Sequence, residues 1–245
     1  MLHYKIINPE KNQRTVVFLH GFLESSTMWE ILNLSQFNFR AILIDLPGHG
    51  NSKLEIENPT IIEISREVQK TLNDLSVTDF DIIGHSLGGY VAIELHKLTN
   101  SKGKVCLFHS NFWEDEEQKK LDRNRVIEIV KQNKDFFIKE AIPNLFLEGF
   151  QKSDFVANLV QEALKIQVQA IVFHTIAMRD RLSNENYVLN NKHNFLIVQG
   201  QVDKIVPYEK MKKHLKTLNI RLVKSAGHMG HIENTKEIIK FLKEF

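Results

Sequence analysis

The sequence predicts a doubly wound α/β domain, a mostly parallel sheet flanked by helices. Three observations lead there: short apolar segments recur, helical patterns alternate with them, and Gly, Pro, Asn or His bounds each one. Residues 15–19, 41–45, 80–84, 104–109, 194–200 and 220–224 are runs rich in Val, Ile, Leu and Phe, the pattern of strands buried on both faces. Between them, residues 61–75, 87–98, 208–218 and 235–245 carry apolar side chains at helical spacing.

One region breaks the alternation. From residue 111 to 192 no strand pattern occurs, and residues 116–133, 136–142 and 153–178 read as helices. The stretch is far too long for a structureless loop in a compact domain. The expected organisation is therefore a core of residues 1–110 and 193–245, with residues 111–192 as a helical insertion over the carboxyl edge of the sheet. Open α/β proteins bind ligands at that edge.

Composition narrows the class. The 245 residues are 42% hydrophobic and 25% charged, ordinary for a globular chain. Lys and Arg (32) nearly balance Asp and Glu (30), which gives no reason to expect nucleic acid or an anionic membrane as partner. Met1-Leu2-His3-Tyr4-Lys5 lacks the marks of a signal peptide, and no apolar run approaches bilayer length. The lone cysteine, Cys106, lies in the apolar run Val105-Cys106-Leu107-Phe108, so it reads as a buried structural thiol. The expectation is a cytoplasmic protein without a membrane span; its oligomeric state is left open.

The most informative segment is Asp81-Ile82-Ile83-Gly84-His85-Ser86-Leu87-Gly88-Gly89, an apolar strand entering Gly-x-Ser-x-Gly with a helical pattern directly after it. A serine on a sharp strand-to-helix turn is lifted above the sheet edge, and Gly84 and Gly88 remove side chains that would collide there. The Leu87 N–H, at a helix N-terminus, is aimed where negative charge would develop.

A serine hydroxyl becomes a competent nucleophile when a histidine takes its proton and an acid orients that histidine. Asp203 follows the strand 194–200, and His228 follows the strand 220–224 through Ala226-Gly227. Both would emerge at the same edge as Ser86. His231 is the rival base, read instead as packing or capping near Asn234. Glu114 and Asp115 are rival acids, read as a solvated helix start within the charged run 114–120. A second oxyanion donor is expected after His20-Gly21, from the backbone N–H of Phe22.

These residues together resemble the α/β-hydrolase superfamily, specifically its small serine esterase/lactonase branch. His20-Gly21-Phe22 is similar to the oxyanion segment. Asp45-Leu46-Pro47-Gly48-His49-Gly50-Asn51-Ser52 is similar to the D-x-P-G-x-G-x-S loop, read as structural, and residues 84–89 to the nucleophile elbow. Asp203 matches the acid and Ala226-Gly227-His228-Met229 the histidine loop, all in family order. Ala177-Met178-Arg179-Asp180-Arg181 is similar to the end of the cap in esterases and enol-lactonases. Haloalkane dehalogenases and epoxide hydrolases share the loop pattern but carry aspartate where Ser86 stands.

The resemblance implies the α/β-hydrolase fold with a helical cap inserted after the sixth strand. It implies a Ser86–Asp203–His228 triad, an oxyanion hole of the Phe22 and Leu87 amides, and no cofactor or metal. The implied activity is carboxylic ester hydrolysis on a small-molecule substrate. A lactonase, a carbon–carbon bond hydrolase or a ligand sensor with little turnover are the alternatives. The apolar residues of the cap, Phe136 and Phe137 among them, are candidates for an acyl pocket, and Arg123, Arg125, Arg179 and Arg181 read as solvated.

Overall fold

The computed structural model describes residues 1–11 and 14–245. Among them one sheet forms, from β1 (Tyr4–Ile7), β2 (Thr15–Leu19), β3 (Arg40–Ile44), β4 (Asp81–His85), β5 (Val105–Phe108), β6 (Phe195–Gly200) and β7 (Asn219–Val223), in the order β1-β3-β2-β4-β5-β6-β7. β1 is antiparallel to β3, and the other neighbouring pairs are parallel. The chain leaves β2 for β3 on one side and returns to β4 on the other. The carboxyl ends of β2 and β4 therefore flank a topological switch point, where Leu19 stands opposite Gly84.

Alternation along each strand builds two cores. Val17, Leu19 and Ile82 face α1 (Ile61–Asp74) and α2 (Leu87–Thr99) through Ile64, Val68, Val91 and Leu95. Val16, Phe18 and Ile83 face the opposite way, toward Trp29 and Leu32 of the 3-10 segment Ser26–Leu32 and Phe241 near the C-terminus. Thr60 starts α1 by accepting the Glu63 N–H at 3.1 Å, leaving that residue's acid in the first turn. Cys106 is fully buried on β5, and burial pushes its thiol pKa upward.

Between β5 and β6 lie α3 (Glu117–Ala141), α4 (Asp154–Ala163), α5 (Val168–Arg179) and α6 (Glu185–Asn190). The insertion thus follows the fifth strand, not the sixth. The expected count came from the family likeness. The chain itself offers four strong strand patterns before the insertion, and β1, short and half-exposed, adds the fifth. The expected break near residues 133–136 is present: Asn133 leaves helical geometry (φ −152°, ψ 80°), and its side-chain oxygen accepts the Phe136 N–H at 3.0 Å, restarting the helix. The single helix expected over 153–178 is divided into α4 and α5. Lys134 Nζ donates to the carbonyls of Leu164 (2.6 Å) and Ile166 (3.1 Å), satisfying the helix end at the division.

α7 (Tyr208–Met211) lies between β6 and β7, and α8 (Gly230–Glu233) and α9 (Thr235–Glu244) follow β7. The helix expected over 208–218 stops early, continuing as a 3-10 turn, Lys212–His214. A third apolar cluster joins Val130, Ile138, Leu159 and Ile171 of the insertion to Leu23 and Met229 on the sheet-edge loops. No helix among the described residues is long and apolar enough to cross a membrane.

Candidate active site

Ser86 occupies the turn between β4 and α2 with φ 49° and ψ −111°. A non-glycine residue held there costs about 1–3 kcal/mol and persists only when its surroundings over-determine it. They do: the Ser86 N–H donates to the Phe108 carbonyl (3.0 Å), and the Ser110 hydroxyl donates to the Ser86 carbonyl (2.7 Å). A methyl at Gly84 would run into the Gly88 carbonyl, and one at Gly88 into the Leu19 carbonyl. Both glycines are thus required for the doubling-back that presents the serine, as the motif suggests.

Asp203 is buried on the loop after β6. Its Oδ1 accepts the N–H groups of Ile205 (2.8 Å) and Val206 (2.9 Å), and its Oδ2 lies 3.0 Å from His228 Nδ1. Burial works to raise the carboxyl pKa. The neighbouring His228 and His109 outweigh it and hold the group far below the ordinary carboxylate range. An ionised carboxylate only accepts, so His228 Nδ1 carries a proton toward Asp203. His228 and Ser86 line the same cavity, about 500 Å³.

Phe22 also lines that cavity. Leu87 is buried beside it, and its N–H is the first of α2, among the amides a helix leaves without an intrahelical partner. The five residues singled out in the sequence therefore gather at one sheet edge. His231 is fully buried with neither ring nitrogen hydrogen-bonded to the described residues, and its ring packs near Trp29, His85 and Phe108. It packs and does not cap; Asn234 caps α9. The Asp45–Ser52 loop is braced by its own carboxylate. Asp45 accepts the N–H groups of Ser26 (2.8 Å) and Asn51 (2.9 Å), while His49 is fully buried behind it.

Sequence reasoning missed several residues. Glu24, one turn beyond the oxyanion segment, accepts the Gly21 N–H at 2.6 Å and lies 2.9 Å from His85 Nδ1. Glu233 receives the N–H groups of Gly227 (2.6 Å) and Leu147 (2.7 Å), tying the histidine loop to the insertion. His109, at the end of β5 with φ 46°, brings Nδ1 to 3.6 Å from Asp203. The signal for His85 was inside the motif, and the one for Glu24 three residues from a glycine already noted.

The cavity wall mixes two chemistries. Apolar residues, among them Phe22, Tyr90, Trp113, Phe137 and Met178, line it together with charged ones, among them Lys119, Arg123, Lys204 and Asp115. Phe136, expected as a pocket candidate, is 56% exposed; its position on the restarted helix faces solvent. Asp115 is not part of a solvated helix start. It is buried and paired with Arg181 (2.7 Å) and Arg123 (3.0 Å), and the Arg181 guanidinium lies 4.2 Å from the centre of the Tyr90 ring. Arg181 (6% exposed) and Arg123 (17% exposed) therefore depart from the solvated reading of the four arginines. A larger cleft, about 760 Å³, lies across Leu23–Glu24 beside the Asp45–Ser52 loop, and neither Ser86 nor His228 forms part of its wall.

A sequence profile described as the alpha/beta hydrolase family matches residues 16–241. A 2-succinyl-6-hydroxy-2,4-cyclohexadiene-1-carboxylate synthase from Yersinia enterocolitica is 36% identical over 78 residues, 32% of this chain and 28% of that protein. The chain spans less than two thirds of the length of the curated relatives it matches. Among solved structures, a thermophilic esterase from Thermogutta terrifontis superposes with a TM-score of 0.88 at 23% identity, over 99% of this chain and 92% of that one. An enol-lactonase from Burkholderia xenovorans LB400 gives 0.86 at 18%, over 99% and 95%. At such identities the likeness is one of fold.

Proposed function

This chain belongs to the alpha/beta hydrolase family, and on that premise we propose that it is a serine hydrolase cleaving carboxylic esters of small to medium acyl substrates. One observation carries the reading. A strained, partner-fixed Ser86 shares its cavity with His228, whose Nδ1 is 3.0 Å from a buried Asp203. Residues 111–192 act as the cap that selects the substrate.

His228 Nε2 takes the Ser86 proton as Oγ attacks the ester carbonyl, and Asp203 stabilises the imidazolium that forms. The Phe22 and Leu87 amides hold the oxyanion, a role worth about 3 kcal/mol for each donor. His228 protonates the departing alcohol, leaving an acyl-Ser86 ester. Water, deprotonated by the same histidine, attacks that ester, and acid leaves as Ser86 regains its proton. The net reaction consumes one ester and one water and releases one acid and one alcohol. The apolar residues of the cavity wall take the acyl chain. A lactone is the same bond closed into a ring, so the substrate panel carries both.

The test is a panel of p-nitrophenyl esters and lactones of graded chain length, run with the parent and Ser86→Ala. A fluorophosphonate adduct is mapped in parallel by mass spectrometry. The expected result is turnover of short and medium esters, an adduct on Ser86, and a loss of roughly 10⁴-fold or more in Ser86→Ala. Full activity in Ser86→Ala would refute the assignment.

A further inference from the structure

His85 fills the variable position between Gly84 and Ser86, and its side chain is buried at the wall of the cavity that holds Ser86 and His228. Each ring nitrogen meets an oxygen: Nδ1 lies 2.9 Å from Glu24 Oε2, and Nε2 lies 3.0 Å from the backbone carbonyl of His228. A carbonyl can only accept, so Nε2 bears a proton. Glu24 is itself buried, and the oxygen facing His85 also accepts the Gly21 N–H at 2.6 Å. An ionised Glu24 accepts from both, which requires a second proton on His85.

We propose that Glu24 and His85 form a buried carboxylate–imidazolium pair that holds the oxyanion loop and the catalytic-histidine loop onto the nucleophile elbow. Both are positioning residues for the ester hydrolysis proposed above, and the inference rests on that reading. The pair joins three separate loops. Glu24 fixes Gly21 and hence the Phe22 amide. His85 belongs to the turn that carries Ser86, and its Nε2–H fixes the His228 backbone. Small displacements of such groups have large kinetic consequences, since transition-state donors and base must be held to fractions of an ångström.

The surroundings favour the charge-separated form. Burial opposes it in both partners, but each offsets the other: Glu24 is carried down to about 2, and His85 is raised. Further titratable groups face the His85 ring: His228 (ring centres 5.0 Å apart) and His231 (5.5 Å) from beyond β7, and His109 (6.1 Å) from the end of β5. His20 and Asp203 act on it from beyond β2 and β6. Burial holds His109 and His231 neutral, so Glu24 and Asp203 are the negative charges that balance His85.

The experiment combines a direct view of the protons with kinetics. In nitrogen-15 NMR of histidine-labelled parent protein near pH 7, His85 is expected to show both ring nitrogens protonated. Glu24→Gln is expected to lose one of those protons. Its kcat for p-nitrophenyl butyrate should fall roughly 10- to 100-fold with KM changed less than about threefold. Fluorophosphonate labelling of Ser86 should slow in step, and Glu24→Asp, which keeps the charge, should recover part of the loss. A merely structural residue would lower the melting temperature and leave kcat intact. A single ring proton on His85 in the parent, or a folded Glu24→Gln with kcat within twofold of the parent, overturns the proposal. If Glu24→Gln fails to fold, the parent spectrum and the Glu24→Asp kinetics decide by the same criteria. A parent protein that shows both His85 protons but neither hydrolyses esters nor takes the fluorophosphonate would sink the ester reading and leave the ion pair standing.

Discussion

The sheet edge and the helical insertion over it differ in what meets a buried acid: backbone amides as well as histidines at the edge, arginine side chains in the insertion. At the edge, acids are met by backbone amides close in sequence: Asp203 by Ile205 and Val206, Glu24 by Gly21. In the insertion, Asp115 is met by side chains, Arg123 within its own helix region and Arg181 at the far end of α5. Backbone donors come with the turn and remain when side chains change. Side-chain donors have to be ordered and desolvated, and each is stranded if its partner is lost. The edge thus keeps backbone donors for its acids beside their histidine partners, while Asp115 in the insertion depends on the arginine pairs.

Asp203→Asn tests the first half of that contrast and carries the largest expected effect. The amide oxygen of asparagine can still accept the Ile205 and Val206 N–H groups, so the loop should hold and the urea midpoint should move little. The charge that orients His228 is lost, and the amide NH₂ can impose the wrong tautomer. The expected fall in kcat is about 10⁴-fold, measured on the best ester of the panel. A variant within tenfold of the parent would break the assignment of Asp203 as the orienting acid.

Asp115→Ala tests the second half. It leaves the Arg181 guanidinium, whose side chain is 6% exposed, without its carboxylate partner. Breaking a buried pair from one side costs about 3 kcal/mol or more, because the remaining charge stays desolvated. Urea unfolding should report that loss. A change below about 1 kcal/mol would mean that Arg181 swings out to water, and the contrast between the regions would weaken accordingly.

The same contrast explains what could be read from the sequence. Gly84, Ser86 and Gly88 are legible because the elbow's constraints fall within five consecutive positions, between a strand and a helix that announce themselves by period. Asp203 and His228 are legible because each sits just past a strand end at the same edge. The Asp115–Arg181 pair is not, since residues far apart in sequence meet only once α5 has packed, and alone each looks like a surface charge. Glu24 and His85 were missed for a related reason, as they lie at separate strand ends and only the sheet order brings them together. β1 was missed because its half-exposed residues give no continuous apolar run, whereas the strand count expected before the insertion came from the family likeness.

The two regions meet at histidines, and acid should loosen that seam. His174, on α5, donates from Nε2 to the Pro47 carbonyl at 2.7 Å, and its ring stands edge-on to His49 at 4.5 Å between centres. Burial, only partly countered by the Pro47 hydrogen bond, lowers His174 to about 4; burial and the facing His174 and His20 also lower His49. The unfolded chain takes up a proton near pH 6.5, and the folded protein resists until about pH 4. Stability is therefore complete above about pH 6.5 and declines as pH falls toward 4. His174→Gln keeps an N–H donor for Pro47 without a titrating ring. Between pH 7 and 4.5 its unfolding free energy should fall by about 2 kcal/mol less than the parent's, since one buried histidine no longer takes up its proton on unfolding. The slope should shrink without vanishing, because His49 and His109 are lowered in the same direction. Parallel parent and variant curves would show that the seam's acid response lies outside His174.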